Sequence, residues 1–233
     1  MNSIGIVGGN GIHATTVFYE KLLFKAKSSR NAIPELLIYS LPLTEEIESK
    51  FVKGEKNKEE SYRTLFKAAS KTLHDAGAEV VVMPCFSLTP ILGSCCDALD
   101  LKILNPLYLL DDKLNNFNFK KLGILATPIG HEVIKNNLKK KYNVVPPKPS
   151  MQNRVNSLID SVISRKCNSS GAGNDLGKIC TEYSSEVDII IIGCSELSTL
   201  KKRNAICIDL MDLLVDMTLD WWINKELETS RAM

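Results

Sequence analysis

Short β-branched apolar runs separated by longer amphipathic stretches recur along the whole chain, and that alternation leaves few folds open. Residues 4–7, 36–39, 80–83, 122–126, 144–145, 188–192 and 205–208 read as buried strands. Between them, residues 15–27, 59–76, 132–141 and 151–165 place apolar side chains at helical spacing, and 209–225 supplies a final helix. Strands alternating with helices predict an α/β fold built on parallel sheet.

A second regularity divides the chain. A strand ending in a turn-prone cysteine segment occurs twice, as Val80-Val81-Val82-Met83-Pro84-Cys85 and as Ile189-Ile190-Ile191-Ile192-Gly193-Cys194. Open α/β sheets bind ligands beyond the carboxyl ends of their strands, so each thiol is expected at a ligand-binding edge. Two such parallel-sheet domains facing one another would form a cleft with one thiol on each wall. The domains span 1–106 and 107–208, and the last helix, 209–233, packs back on the first. The segment 167–177, rich in Ser, Gly and Asn, reads as a surface loop.

Composition removes several function classes. A formal net charge of +2 in 233 residues leaves no field that would gather nucleic acid or an anionic membrane. The densest basic run, Lys139-Lys140-Lys141, sits at the end of a helical pattern, where cations complement the helix dipole. The chain opens directly into a strand without a signal-peptide pattern, and no apolar run is long enough to span a bilayer. A cytoplasmic protein with reduced thiols is the expectation. Seven scattered cysteines, an odd number without a Cys-x-x-Cys pair, argue against a disulfide framework and against zinc. Cys95, Cys96 and Cys180 fall in helices, Cys207 in a strand and Cys167 beside a loop, so Cys85 and Cys194 are the pair left at strand ends.

The turn Gly8-Gly9-Asn10-Gly11 after the first strand matches the dinucleotide fingerprint formally at Gly9, Gly11 and Ala14. The second strand, however, ends at Tyr39-Ser40, without the carboxylate that would meet a ribose. What the glycines support is a tight turn whose backbone N–H groups, near a helix N-terminus, hold an anion such as a carboxylate. After Cys85, Thr89 is placed to cap a helix beginning at Pro90, and a thiol at such a terminus can have a lowered pKa. His13 and His131 are read on strand-to-helix turns near the expected ligand, and His74 as a helix-surface residue. Tandem Trp221-Trp222 reads as packing or an oligomer contact.

In this order along the chain, the motifs resemble the aspartate/glutamate racemase superfamily, and within it the aspartate-racemase branch. Gly8-Gly9-Asn10-Gly11 through Ala14-Thr15 is similar to that branch's Gly-Gly-Met-Gly-Pro-x-Ala-Thr opening. Met83-Pro84-Cys85 resembles its Pro-Cys-Asn-Thr segment, Leu125-Ala126-Thr127 its Leu-Ala-Thr, and Gly193-Cys194-Ser195-Glu196-Leu197 its Gly-Cys-Thr-Glu. The tail Ile208-Asp209-Leu210-Met211-Asp212 also has the family look.

The resemblance implies two pseudo-symmetric parallel-sheet domains with the active site in the cleft between them, and a cofactor-independent amino-acid racemase, commonly a homodimer, with Cys85 and Cys194 as the acid/base pair. It implies no metal. Gly9, Asn10, Gly11, Phe86, Ser87, Thr127, Ser195 and Glu196 are the expected substrate-binding residues, and aspartate, glutamate or another amino acid is the expected substrate.

The chain departs from the family pattern at three places. Phe86 stands where an Asn usually follows the first cysteine, and Asn10, in place of Met, is positioned to supply the missing amide. The usual arginine-bearing stretch after the second strand has become Ser40-Leu41-Pro42-Leu43-Thr44-Glu45-Glu46, so an acidic side chain would have to find another cation, such as Arg165 or Lys166. Thr127-Pro128-Ile129-Gly130 lacks the usual Gly-Thr. Two alternatives stay open: a decarboxylase or isomerase of the superfamily, which needs one thiol, and a non-catalytic amino-acid-binding protein.

Overall fold

Every residue of β1 (Ser3–Gly8) is buried in the computed structural model, as a strand is when helices cover both faces of a parallel sheet. The structure describes residues 3–44, 47, 59–115, 117, 119–164, 169–201 and 204–231. Among these the strands form two four-stranded sheets, parallel throughout. In the first, β1 lies between β2 (Leu36–Ser40) and β3 (Ala78–Val82), with β4 (Lys102–Ile103) beyond β3. In the second, β5 (Lys121–Leu125) lies between β6 (Asn143–Val145) and β7 (Ile189–Ile192), with β8 (Cys207–Asp209) beyond β7. The shared strand order makes β1 the counterpart of β5, and β3 that of β7. The α/β class with two parallel sheets, read from the sequence, is the fold observed.

The chain divides into two compact units, Met1–Asn105 with Leu214–Met233, and Pro106–Leu213. In the first unit, α1 (Ile12–Arg30) buries Ala14, Phe18, Leu22 and Ala26, a strict i,i+4 stripe, and ends at Asn31 in the left-handed region with φ 54°. α2 (Glu59–Asp75) carries Glu59 and Glu60 in its first turn, where they complement the dipole, and buries Tyr62, Phe66, Ala69 and Leu73. α3 (Thr89–Cys96) follows β3, and a 3-10 turn at Asp97–Leu99 leads to β4. β4 has only two residues, too few to show a period, and was not legible beforehand.

In the second unit, α4 (Leu107–Asn115) precedes β5, α5 (Pro128–Leu138) follows it, and α6 (Pro149–Ile163) and α7 (Ser169–Tyr183) fill the connection to β7. α8 (Ser195–Ser198) is one turn long, and α9 (Leu210–Arg231) closes the chain, with Asp216 paired to Lys25 of α1. Lys139, Lys140 and Lys141 are solvated beyond the end of α5, as expected. No helix among the described residues is long and apolar enough to cross a membrane.

The loop expected at 167–177 is corrected: from Ser169 onward the described residues are helix, and Cys167 and Asn168 lie outside them. Ala172, Leu176, Ile179, Cys180 and Tyr183 repeat at helical spacing and are all buried in the core of the second unit. Each glycine costs a helix about 1 kcal/mol relative to Ala. Burying Leu176 and Ile179 returns roughly 1.5–3 kcal/mol apiece, so packing overrides propensity. Leu176→Ala should therefore lower unfolding free energy by about 2–5 kcal/mol in a denaturant titration. A change under about 0.5 kcal/mol, typical of a surface site, would contradict the helix.

Candidate active site

In the first unit, a candidate site edge forms where β1 and β3 run out side by side. Ile6 pairs with Val82 in the ladder, so the residues after Gly8 and those after Val82 emerge at the same edge. Gly9 has φ 96°, and a Cβ there would lie 2.8 Å from Leu41 N. The backbone after β2 is held there because Leu41 N–H donates to the Gly8 carbonyl at 3.0 Å. Only glycine fits that turn, which then passes through Asn10 to Gly11, φ 83°, at the N-terminus of α1.

This turn aims the Asn10 side chain across the edge. Its Nδ2 donates to Cys85 Sγ at 3.0 Å, while its Oδ1 accepts from the Tyr62 hydroxyl at 2.8 Å. Tyr62 is fully buried on α2, its ring 5.6 Å from that of Phe66. Cys85 itself is half-buried. Its carbonyl accepts from Leu88 N–H at 3.3 Å and from Thr89 Oγ1 at 3.0 Å, which folds the chain back into α3. The capping role expected of Thr89 is corrected by this contact: Thr89 is already helical, its hydroxyl turns back to Cys85, and Leu88 occupies the cap position. Ser87 is half-buried, and the ring of Phe86 is packed inside the unit at 2% exposure.

In the second unit, an equivalent edge forms at the carboxyl ends of β5 and β7. Leu125 pairs with Ile192, and Gly193 N–H extends that ladder to the Leu125 carbonyl at 2.9 Å. A Cβ on Gly193 would lie 2.2 Å from Ile134 Cδ1, so Ile134 of α5 seats directly on the glycine. Cys194 follows in extended conformation, φ −121° and ψ 124°, half-buried at the cap position of α8. Ser195 and Glu196 are buried in that single turn, at 6% and 4% exposure.

The turn is anchored from β8. Ser198 Oγ lies 2.6 Å from Asp209 Oδ1 and 3.3 Å from the Cys194 carbonyl, and the shorter contact takes the proton. Asp209 Oδ1 also accepts from Met211 N–H at 2.9 Å, so one buried carboxylate ties the start of α9 to the turn that carries Cys194.

Thr127, half-buried after β5, accepts from Gly130 N–H at 3.2 Å and caps α5. The carbonyl before it, on Ala126, accepts from Gln152 Nε2 of α6 at 2.9 Å. Each unit thus presents a cysteine after its third strand and a polar turn after its first.

Residues 4–218 match the sequence profile of the Asp/Glu/hydantoin racemase family. The chain belongs to that family. Solved structures with the same fold include a candidate Asp/Glu racemase from Yersinia pestis, at 20% identity and TM-score 0.76, which covers 95% of this chain and 99% of that one. An aspartate racemase homologue from Pyrococcus horikoshii OT3 superposes with TM-score 0.73 at 20% identity, over 95% and 99% of the two chains. The aspartate racemase of Picrophilus torridus gives 0.70 at 21% identity, over 92% and 91%.

For this family member, three side chains that hold these turns escaped the sequence reading, Tyr62, Gln152 and Ser198, and Asp209 was read only as part of the tail motif. Tyr62 sits at a core position of an amphipathic helix, and only its hydroxyl among apolar neighbours signalled a second task. Arg165, Lys166, Glu45 and Glu46 lie outside the described residues. Among the described residues, no three His, Cys, Asp or Glu side chains gather as a metal site would need. His13 is exposed on α1, and His74 is on the surface of α2 as expected.

His131 is 8% exposed on α5, and its Nε2 has no hydrogen-bond partner among the described residues. Burial pushes its imidazole below the usual range; neighbouring Glu132 opposes that and Lys135 adds to it. Because the unfolded chain then holds the proton more tightly, His131 costs stability as pH falls from about 6.5 toward the folded-state value. His131→Gln should show a smaller drop in thermal midpoint than the parent between about pH 7.5 and pH 5. Equal drops would remove His131 as a source of acid sensitivity.

Proposed function

We propose that the chain is a cofactor-independent amino-acid racemase in which Cys85 and Cys194 form a two-base pair. The observation that carries this reading is topological. One half-buried cysteine follows β3 and the other follows β7, which occupy the same place in two sheets of identical strand order. Duplication of a binding edge with retention of a thiol on each copy fits a reaction that must work on both faces of one carbon. A reaction that needs a proton on one face alone leaves the second thiol without a task.

In one direction a thiolate removes the α-proton, and the electron pair is delocalised toward the substrate carboxylate. The other thiol then delivers its proton to the opposite face, leaving the thiol and thiolate exchanged. The α-proton is far less acidic than a thiol, so the site has to stabilise the carbanion through donors already in place. The backbone N–H groups of Gly9–Gly11, at the N-terminus of α1, suit a carboxylate. Ser87, Thr127, Ser195 and Glu196 are the remaining polar side chains assigned to the substrate, while buried Phe86 backs the turn behind Cys85. Asn10 stands beside Cys85, so its assigned role shifts from binding substrate to contacting the base. The substrate is an amino acid, aspartate and glutamate among those to test, and a homodimer working in the cytoplasm completes the reading.

The test is proton NMR in deuterated water with L- and D-amino acids and no added cofactor. Exchange of the α-proton accompanied by inversion on chiral analysis is the expected result; exchange without inversion, or none across the panel, would count against racemisation. Cys85→Ser and Cys194→Ser should each lower inversion about 100- to 10,000-fold. Near-normal activity in either variant would refute the pair.

A further inference from the structure

Two polar side chains that the proton-transfer scheme does not use, Tyr62 and the oxygen end of Asn10, are joined to Cys85 in one line: Tyr62 OH to Asn10 Oδ1 at 2.8 Å, then Asn10 Nδ2 to Cys85 Sγ at 3.0 Å. A primary amide presents a donor at one end and an acceptor at the other. With its N–H toward the sulfur, it satisfies a thiolate; flipped, it offers a carbonyl oxygen that a thiolate repels and a thiol S–H can bond.

The phenol favours the first orientation from the far side, because a phenol O–H is a better donor than its ring-conjugated oxygen is an acceptor. Tyr62 is fully buried, and packing against Phe66 within α2 fixes its ring. Its proton donated to Oδ1 leaves the N–H end of the amide facing Cys85. We propose that Tyr62 is a positioning residue for Cys85: by donating to Asn10 Oδ1 it locks the amide with N–H toward the sulfur and so favours the thiolate. The use made of that thiolate rests on the racemase reading above; the lock itself is a matter of hydrogen-bond direction.

The lock is tested by measuring the pH dependence of iodoacetamide alkylation separately at Cys85 and Cys194, by quantitative peptide mass spectrometry, in the parent protein, Tyr62→Phe, Asn10→Met and the double variant. Tyr62→Phe should raise the Cys85 midpoint by about one pH unit, about tenfold less thiolate below the midpoint, since a donor favours the charged form it bonds. Cys194, in the other unit, should keep its midpoint and serves as the folding control. Asn10→Met should raise the Cys85 midpoint at least as far, and adding Tyr62→Phe should raise it no further, because Tyr62 acts only through the amide.

An unchanged Cys85 midpoint in Tyr62→Phe, or full additivity in the double variant, overturns the proposal. Asn10→Asp approaches the link from its other end and does not depend on how Tyr62→Phe folds. It keeps an acceptor for Tyr62 and removes the N–H, so the Cys85 midpoint must rise, and a midpoint that stays or falls also overturns it. A midpoint that shifts as described in a protein that never exchanges an α-proton supports the lock and rejects the racemase. Exchange with no shift does the reverse.

Discussion

The ladder between neighbouring parallel strands is the interaction on which the rest depends. Because β1 runs beside β3 in register, the turn after Gly8 and the turn after Val82 open at one edge, and a side chain from one can reach a sulfur on the other. The pairing of β5 with β7 does the same for Ala126, Gly193 and Cys194. Parallel strands need crossovers, so each edge is lined by starts of helices rather than by hairpins. Backbone donors and short polar caps collect there without any further device.

The scaffold around each thiol is held by a different means. On the Cys85 side the constraint is polar and reaches inward, from the sulfur through an amide to a phenol fixed in the core. On the Cys194 side it is steric from one direction, where Ile134 seats on Gly193, and hydrogen-bonded from another, where Asp209 gathers Ser198 and the start of α9. Phe86 belongs to the first arrangement. Its ring is packed inside the unit, and the amide that meets the sulfur comes from the neighbouring turn, at Asn10.

Strands and amphipathic helices were legible in the sequence because burial on a fixed period leaves a mark that survives any detail of packing. The repeated strand-and-cysteine segment was legible for the same reason: four consecutive isoleucines and a run of valines, short and β-branched, read as buried strands. The 169–177 helix was not, since its glycines and serines are locally those of a turn and its apolar positions gain their meaning only against the core they fill. Thr89 was read as a cap from type and spacing alone, whereas the turn starting at Cys85 had already drawn it into the helix. Tyr62 and Asp209 act through contacts 52 and 11 residues away along the chain, a kind of information that local patterns do not hold.

The first unit is assembled from both ends of the chain, Met1–Asn105 and Leu214–Met233, while the second is one uninterrupted stretch, Pro106–Leu213. During synthesis the contiguous unit has all of its residues before the first unit has its last helix. The sheet that carries Cys85 therefore waits, with the α9 side of α1 uncovered, until the ribosome has finished the sheet that carries Cys194. Order of birth and order of completion are reversed, and nascent chains stopped short of Leu214 would carry one finished half and one open one.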